Sequence, residues 1–93
     1  MKKTIYKYEL TPVIQGNHSL KLPKGSEILS VQAQNDNPCI WALVYPDNEI
    51  EERFFELFGT GHDIPCDMGI DRKFIGTFQM YGGSLVFHLF ERF

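Results

Sequence analysis

Hydrophobic and polar positions alternate along most of this chain, in seven short runs set apart by Gly, Pro, Asn and Asp. A period of two sends successive side chains to opposite faces of a strand. The pattern therefore predicts strands over Thr4–Leu10, His18–Leu22, Glu27–Gln34, Cys39–Tyr45, Glu52–Phe58, Phe74–Met80 and Ser84–Phe90. Pro12 limits the first run, and Gln15-Gly16-Asn17 and Pro23-Lys24-Gly25-Ser26 read as turns on either side of the second. Asn35-Asp36-Asn37-Pro38 reverses the chain after the third, and Pro46-Asp47-Asn48 ends the fourth. Tyr81-Gly82-Gly83 joins the last two runs as a hairpin.

The phase of each run predicts which side chains face inward. Leu29, Val31 and Ala33 share one face of the third run, with Ser30, Gln32 and Gln34 on the other. Cys39–Tyr45 is apolar on both faces, Ile40, Ala42 and Val44 against Trp41, Leu43 and Tyr45. A strand of that kind belongs in the middle of a barrel or sandwich. This reading puts Trp41 in the core and makes the third and fourth runs a central hairpin. In the closing hairpin, Phe74, Phe78 and Met80 face inward with Leu85, Phe87 and Leu89, opposite Ile75, Thr77, Gln79, Val86, His88 and Phe90. Glu49–Phe58 has tolerable helix propensity, but its aromatics and short length favour a strand. The expected fold is all-β, a single domain over residues 1–93 forming a small antiparallel barrel or sandwich of about seven short strands.

Composition sharpens this picture. A chain of 93 residues buries only about 60–65% of its extended surface, so its core must be efficient. With 43% hydrophobic and 14% aromatic residues, it has the material for that core and lacks the polar bias of a disordered segment. The formal charge of −3 leaves no electrostatic footprint for nucleic acid. Lysines gather only at Lys2, Lys3, Lys7, Lys21 and Lys24, and Glu49, Glu51 and Glu52 read as an exposed turn. No signal-peptide h-region opens the chain, and no run approaches the ~20 apolar residues of a membrane helix. Reduced thiols in a cytoplasm are the expectation for Cys39 and Cys66, the first a buried small hydrophobe, the second an accessible loop residue.

Candidate chemistry is sparse. His62, Asp63, Cys66 and Asp67 lie close in sequence but offer one His and one Cys, short of a zinc ligand set. Ser30 or Ser84 with His88 and Asp63 makes only a nominal triad, with no nucleophile elbow, His-Glu-x-x-His or phosphate loop. These residues predict no catalytic site, no metal and no cofactor. Gly59–Lys73 is the longest irregular stretch, of a length that often carries function. For phosphate, the suited groups are Arg53, Arg72, Lys73 and the Gly59–Gly61 amides, with Thr60 and His62 beside them. Tyr81 or Phe74 is suited to stack on a base. Ser30, Gln32, Gln34, Thr77, Gln79 and His88 form either an ordinary solvent face or a platform that hydrogen-bonds a partner. Ile75, Val86 and Phe90 on the outer face point to a homo-oligomer that buries them.

Several segments together resemble a family of small bacteriophage- and prophage-encoded proteins of unassigned function. They are Tyr6–Leu10, Ile28–Gln34 (Ile-Leu-Ser-Val-Gln-Ala-Gln), Trp41–Pro46, Phe58–Pro65, Ile75–Gln79 (Ile-Gly-Thr-Phe-Gln) and Leu85–Glu91 (Leu-Val-Phe-His-Leu-Phe-Glu). Asp67–Lys73 departs from the pattern as a longer link. The resemblance implies phage or prophage origin and a bacterial host cytoplasm. It leads to the expectation of a non-enzymatic protein that blunts a host defence, by sequestering a small signalling nucleotide or by occluding a defence protein. A structural or assembly component of the phage particle is the alternative, and a nucleotide hydrolase working through His62 or His88 a third reading.

Overall fold

Asn35 and Asp36 hold φ of 52° and 59°. Left-handed backbone at two successive residues is what a two-residue hairpin between right-twisted strands requires, and short polar side chains tolerate it. In the computed structural model, which describes residues 2–10, 16–66 and 68–93, this turn folds β3 (Glu27–Gln34) back on β4 (Asn37–Val44). β1 (Thr4–Glu9) pairs with the other side of β4, giving an antiparallel sheet of order β1-β4-β3. The second antiparallel sheet contains β2 (Gly16–Pro23), β5 (Ile50–Gly59), β6 (Arg72–Met80) and β7 (Leu85–Arg92), in the order β2-β5-β7-β6. A 3-10 turn at Tyr81–Gly83 joins β6 to β7. The expected all-β fold of about seven strands is present as two packed sheets. Pro12 and Gln15, read as strand stop and turn, lie outside the described residues.

The core lies between the sheets. Val31 and Ile40 from the first meet Leu22, Phe55, Leu57, Phe78, Met80 and Leu89 from the second, with Leu10 closing one side. Each such side chain stabilises the fold by about 1.5–3 kcal/mol relative to exposure. β4 is the middle strand of its sheet, as its two apolar faces predicted, but its hairpin partner β3 is an edge. Trp41 is only half-buried and pairs across from Lys7 and Ser30 on the outer face, so it is not a core residue. The alternation of β4 had no way to say which apolar face the second sheet would cover.

β3 also forms a seam with β6. The two strands run side by side in the same direction. Their first residues share a cleft, and their last meet where the Tyr81 N–H donates to the Asp36 carboxylate at 2.9 Å. Both strands carry a bulge, between Ile28 and Ser30 and between Phe74 and Gly76. A bulge inserts one residue and inverts the phase on one side of it. Leu29 is therefore 46% exposed and Ile28 packs inward; Phe74 is 54% exposed and Ile75 packs inward. The simple alternation had Leu29 and Phe74 inward and Ile75 outward. Gly76 is what lets the seam close. A Cβ built there would stand 2.9 Å from Val31 Cγ1.

β1 differs from the other strands. Its ladder to β4 runs without interruption from Thr4 to Glu9, yet both its faces are open, with Ile5 57% and Tyr6 43% exposed. The half-buried strand expected there is buried only toward Tyr8 and Leu10.

Candidate functional site

Three neighbourhoods gather the chemically interesting side chains. The first is a cleft of about 310 Å³ at the bulged end of the seam, lined by Ser26, Glu27, Ile28, Arg53, Lys73, Phe74, Ile75 and Glu91. Arg53 and Glu91 occupy core-face positions in β5 and β7, in phase with Phe55, Leu57 and Leu89. A charge placed there needs a partner. Arg53 supplies it as a fork, Nε to Glu91 Oε2 at 2.6 Å and Nη2 to Oε1 at 2.8 Å, while Nη1 donates to the Ser26 carbonyl. The hydrogen bond to Glu91 pushes the Arg53 guanidinium further up from its ordinary value. The cleft also contains Lys73 and Glu27, so its four charges balance.

The second neighbourhood is the outer face of β5, β7 and β6. Arg72 donates to both oxygens of Glu56, Nε at 2.6 Å and Nη2 at 3.4 Å, and its Nη1 reaches the Pro65 carbonyl at 3.0 Å. This ties the 60–71 connection back to the sheet. Glu56 and Phe58 are buried there despite facing away from the core. Around them lies an aromatic group. Phe90 meets Phe58 and Phe74 edge-on, at 6.0 and 5.4 Å between ring centres. Phe54, 49% exposed, shares the face. A hollow of about 360 Å³ continues from it, lined by Phe54, Ile70, Arg92 and Phe93.

The third centres on His88. Its Nε2 bonds Thr60 Oγ1 and its Nδ1 bonds Thr77 Oγ1, both at 2.8 Å. The imidazole thus clasps the start of the 60–71 connection to β6. Beside it a smaller cleft of about 240 Å³ is lined by Gly59, Thr60, His62 and Ser84–Phe87.

The residues expected to hold a ligand are thus divided. Arg53 and Lys73 share the seam cleft, Thr60 and His62 the cleft beside His88, and Arg72 lies on the outer face bound to Glu56. Tyr81 projects from the β6–β7 turn. The polar positions divide too: Gln32 and Gln34 belong to the β3 outer face, where Lys7 donates to Gln34 at 2.7 Å, and Thr77, Gln79 and His88 to the second sheet. They lie on two sheets, on strands β3 and β6 that meet at the seam and on β7 beside them. The expected Ile75, Val86 and Phe90 stripe is also broken, because Ile75 faces the core. Ser30 and Ser84 have no bond to His88, whose partners are threonines. Among the described residues no three His, Cys, Asp or Glu side chains converge as metal ligands, and Asp67 lies outside those residues.

Sequence reasoning passed over Glu91, Glu56, Phe54 and Ser26. A signal for the first existed. Counting by two from Phe87 and Leu89 reaches Glu91, and counting back from Phe55 reaches Arg53, so opposite charges fall in core phase on two strands.

A family described as a domain of unknown function (DUF7352) matches residues 1–93. The chain belongs to that family. No curated protein and no solved structure matches it.

Proposed function

We propose that this DUF7352 member is a non-enzymatic binding protein of phage or prophage, which acts in a bacterial host cytoplasm by occluding a protein of the host's defences. The observation that carries the binding role is the aromatic outer face of the second sheet. Phe54 and Phe74 stand about half exposed beside Phe90, next to a hollow that ends at Phe93. Exposed apolar surface of this continuity is what a protein partner buries. The origin and the target class rest on the resemblance to phage-encoded proteins.

Of the two modes of inhibition, occlusion fits the side chains better than nucleotide capture. Both arginines suited to phosphate are engaged by carboxylates, Arg53 by Glu91 and Arg72 by Glu56. A phosphate at either site would meet a buried carboxylate first.

The test is expression in bacterial strains that each carry one defence system. The protein is expected to restore plating of a phage that one system blocks, and Phe54→Asp with Phe74→Asp to abolish the rescue while the chain stays folded. Rescue that survives the double substitution removes the aromatic face from the mechanism. Thermal stabilisation by a signalling nucleotide returns the capture mode, and stoichiometric protein in purified virions replaces both with a particle component.

A further inference from the structure

An unprotected edge is a liability that β-proteins suppress. They do so with bulges, prolines, short strands, charged side chains (lysine above all), inward charges or a covering loop. In this chain the two strands that meet at the seam, β3 and β6, carry bulges. β1 carries no bulge and no proline and keeps continuous register over all six of its residues; the charges it does carry, Lys7 and Glu9, lie on the outer face. Among the described residues, β4 is the one strand hydrogen-bonded to it. Each side of β1 also shows an exposed apolar residue, Ile5 beside Lys7 and Glu9 on the outer face and Tyr6 on the inner. An edge strand of a sandwich ordinarily buries its inner face, and here the second sheet does not cover it.

We propose that β1 is a homodimerisation edge, where β1 of a second copy adds antiparallel across a two-fold axis. This goes beyond the binding role proposed above and does not depend on it. The occupant follows from the charge pattern of the strand. A two-fold pairing centred on Tyr6 places Tyr6 opposite Tyr6 and Thr4 opposite Tyr8. It also places Ile5 opposite Lys7, and Lys3 opposite Glu9 at both ends. That register overlaps the whole strand and sets no like charges directly opposite, which like-charge pairs would penalise. Centring on Lys7 instead would oppose two lysines. In the favoured register tyrosines of both copies meet on the uncovered inner side, and the two three-stranded sheets become one six-stranded sheet. Such an interface is isologous and closes on itself, so it stops at two copies.

The experiment is a concentration series by light scattering, with cross-linking. The mass is expected to rise to twice 10.8 kDa. In a Cys66→Ser background, which removes the exposed thiol, Tyr6→Cys should form an intermolecular disulfide under mild oxidation. Glu9→Lys should weaken the dimer, and adding Lys3→Glu should restore it. These are surface positions, so far-ultraviolet circular dichroism should stay unchanged and separate lost pairing from lost folding. A chain that remains monomeric throughout overturns the proposal. So does a dimer that neither cross-links at position 6 nor responds to the charge exchange.

Discussion

Arg53 and Glu91 show how a charged pair is held at the edge of an apolar core. The Glu91 side chain is 5% exposed and that of Arg53 16%. Removing one partner strands the other without water, whereas replacing both with apolar groups removes the problem. Glu91→Gln or Arg53→Met alone should each cost about 3 kcal/mol, and Arg53→Met with Glu91→Leu should recover most of that loss, as read from urea unfolding. The thiols make a second contrast at this scale. Cys39 is buried beneath the outer face of β4 and Cys66 is exposed. Native alkylation should modify one cysteine, and unfolding should release the second. Burial also pushes the Cys39 thiol up from its ordinary value of 9.0. Above that value the unfolded chain loses a proton that the folded chain keeps. The contribution is intact below the ordinary value and is lost as pH rises through the folded one. Wild type should therefore lose stability on going from about pH 8 to about pH 10 more steeply than Cys39→Ala, measured as the urea midpoint.

At the scale of elements, the seam between β3 and β6 is the most constrained contact. Val31 is β-branched and stiff, and it fills the space that a side chain on Gly76 would need. Gly76→Ala should destabilise the fold by about 1–3 kcal/mol. Val31→Ala should offset part of that cost, so the double variant falls short of the sum of the singles. The His88 clasp works on a neighbouring element. Thr60→Val removes one of its bonds and should cost about 1 kcal/mol, with faster proteolytic cleavage within 60–71 as the sharper readout. These strands also show what alternation can and cannot convey. Their existence, the turns at Asn35-Asp36 and Tyr81–Gly83, and the double-faced character of β4 were legible because each is a local property of the chain. The bulges at Leu29 and Ile75 were not. A bulge keeps the letters of the pattern and shifts its phase, so alternation alone does not reveal it.

At the scale of the molecule, assembly decides what is exposed, and assembly was the least legible level. Gln32 and Thr77 read alike in the sequence, yet the strand order puts them on different sheets. Arg72 and Arg53 read as free phosphate binders until the fold brought Glu56 and Glu91 to them. The uncovered inner side of β1 is likewise a property of where the second sheet ends. Backbone amides of residues 4–9 should exchange with solvent faster than those of β5 and β7, and should gain protection as protein concentration rises. The order β2-β5-β7-β6 has a consequence for synthesis. β7 is an interior strand although it is the last of the seven in chain order. While the ribosome still holds residues 85–92, β5 lacks one neighbour and β6 lacks its partner. The sheet of β1, β4 and β3 can close once residue 44 is free, but its apolar side then waits in solvent. The second sheet is therefore complete only once β7 has cleared the exit tunnel and inserted between β5 and β6, two strands already made.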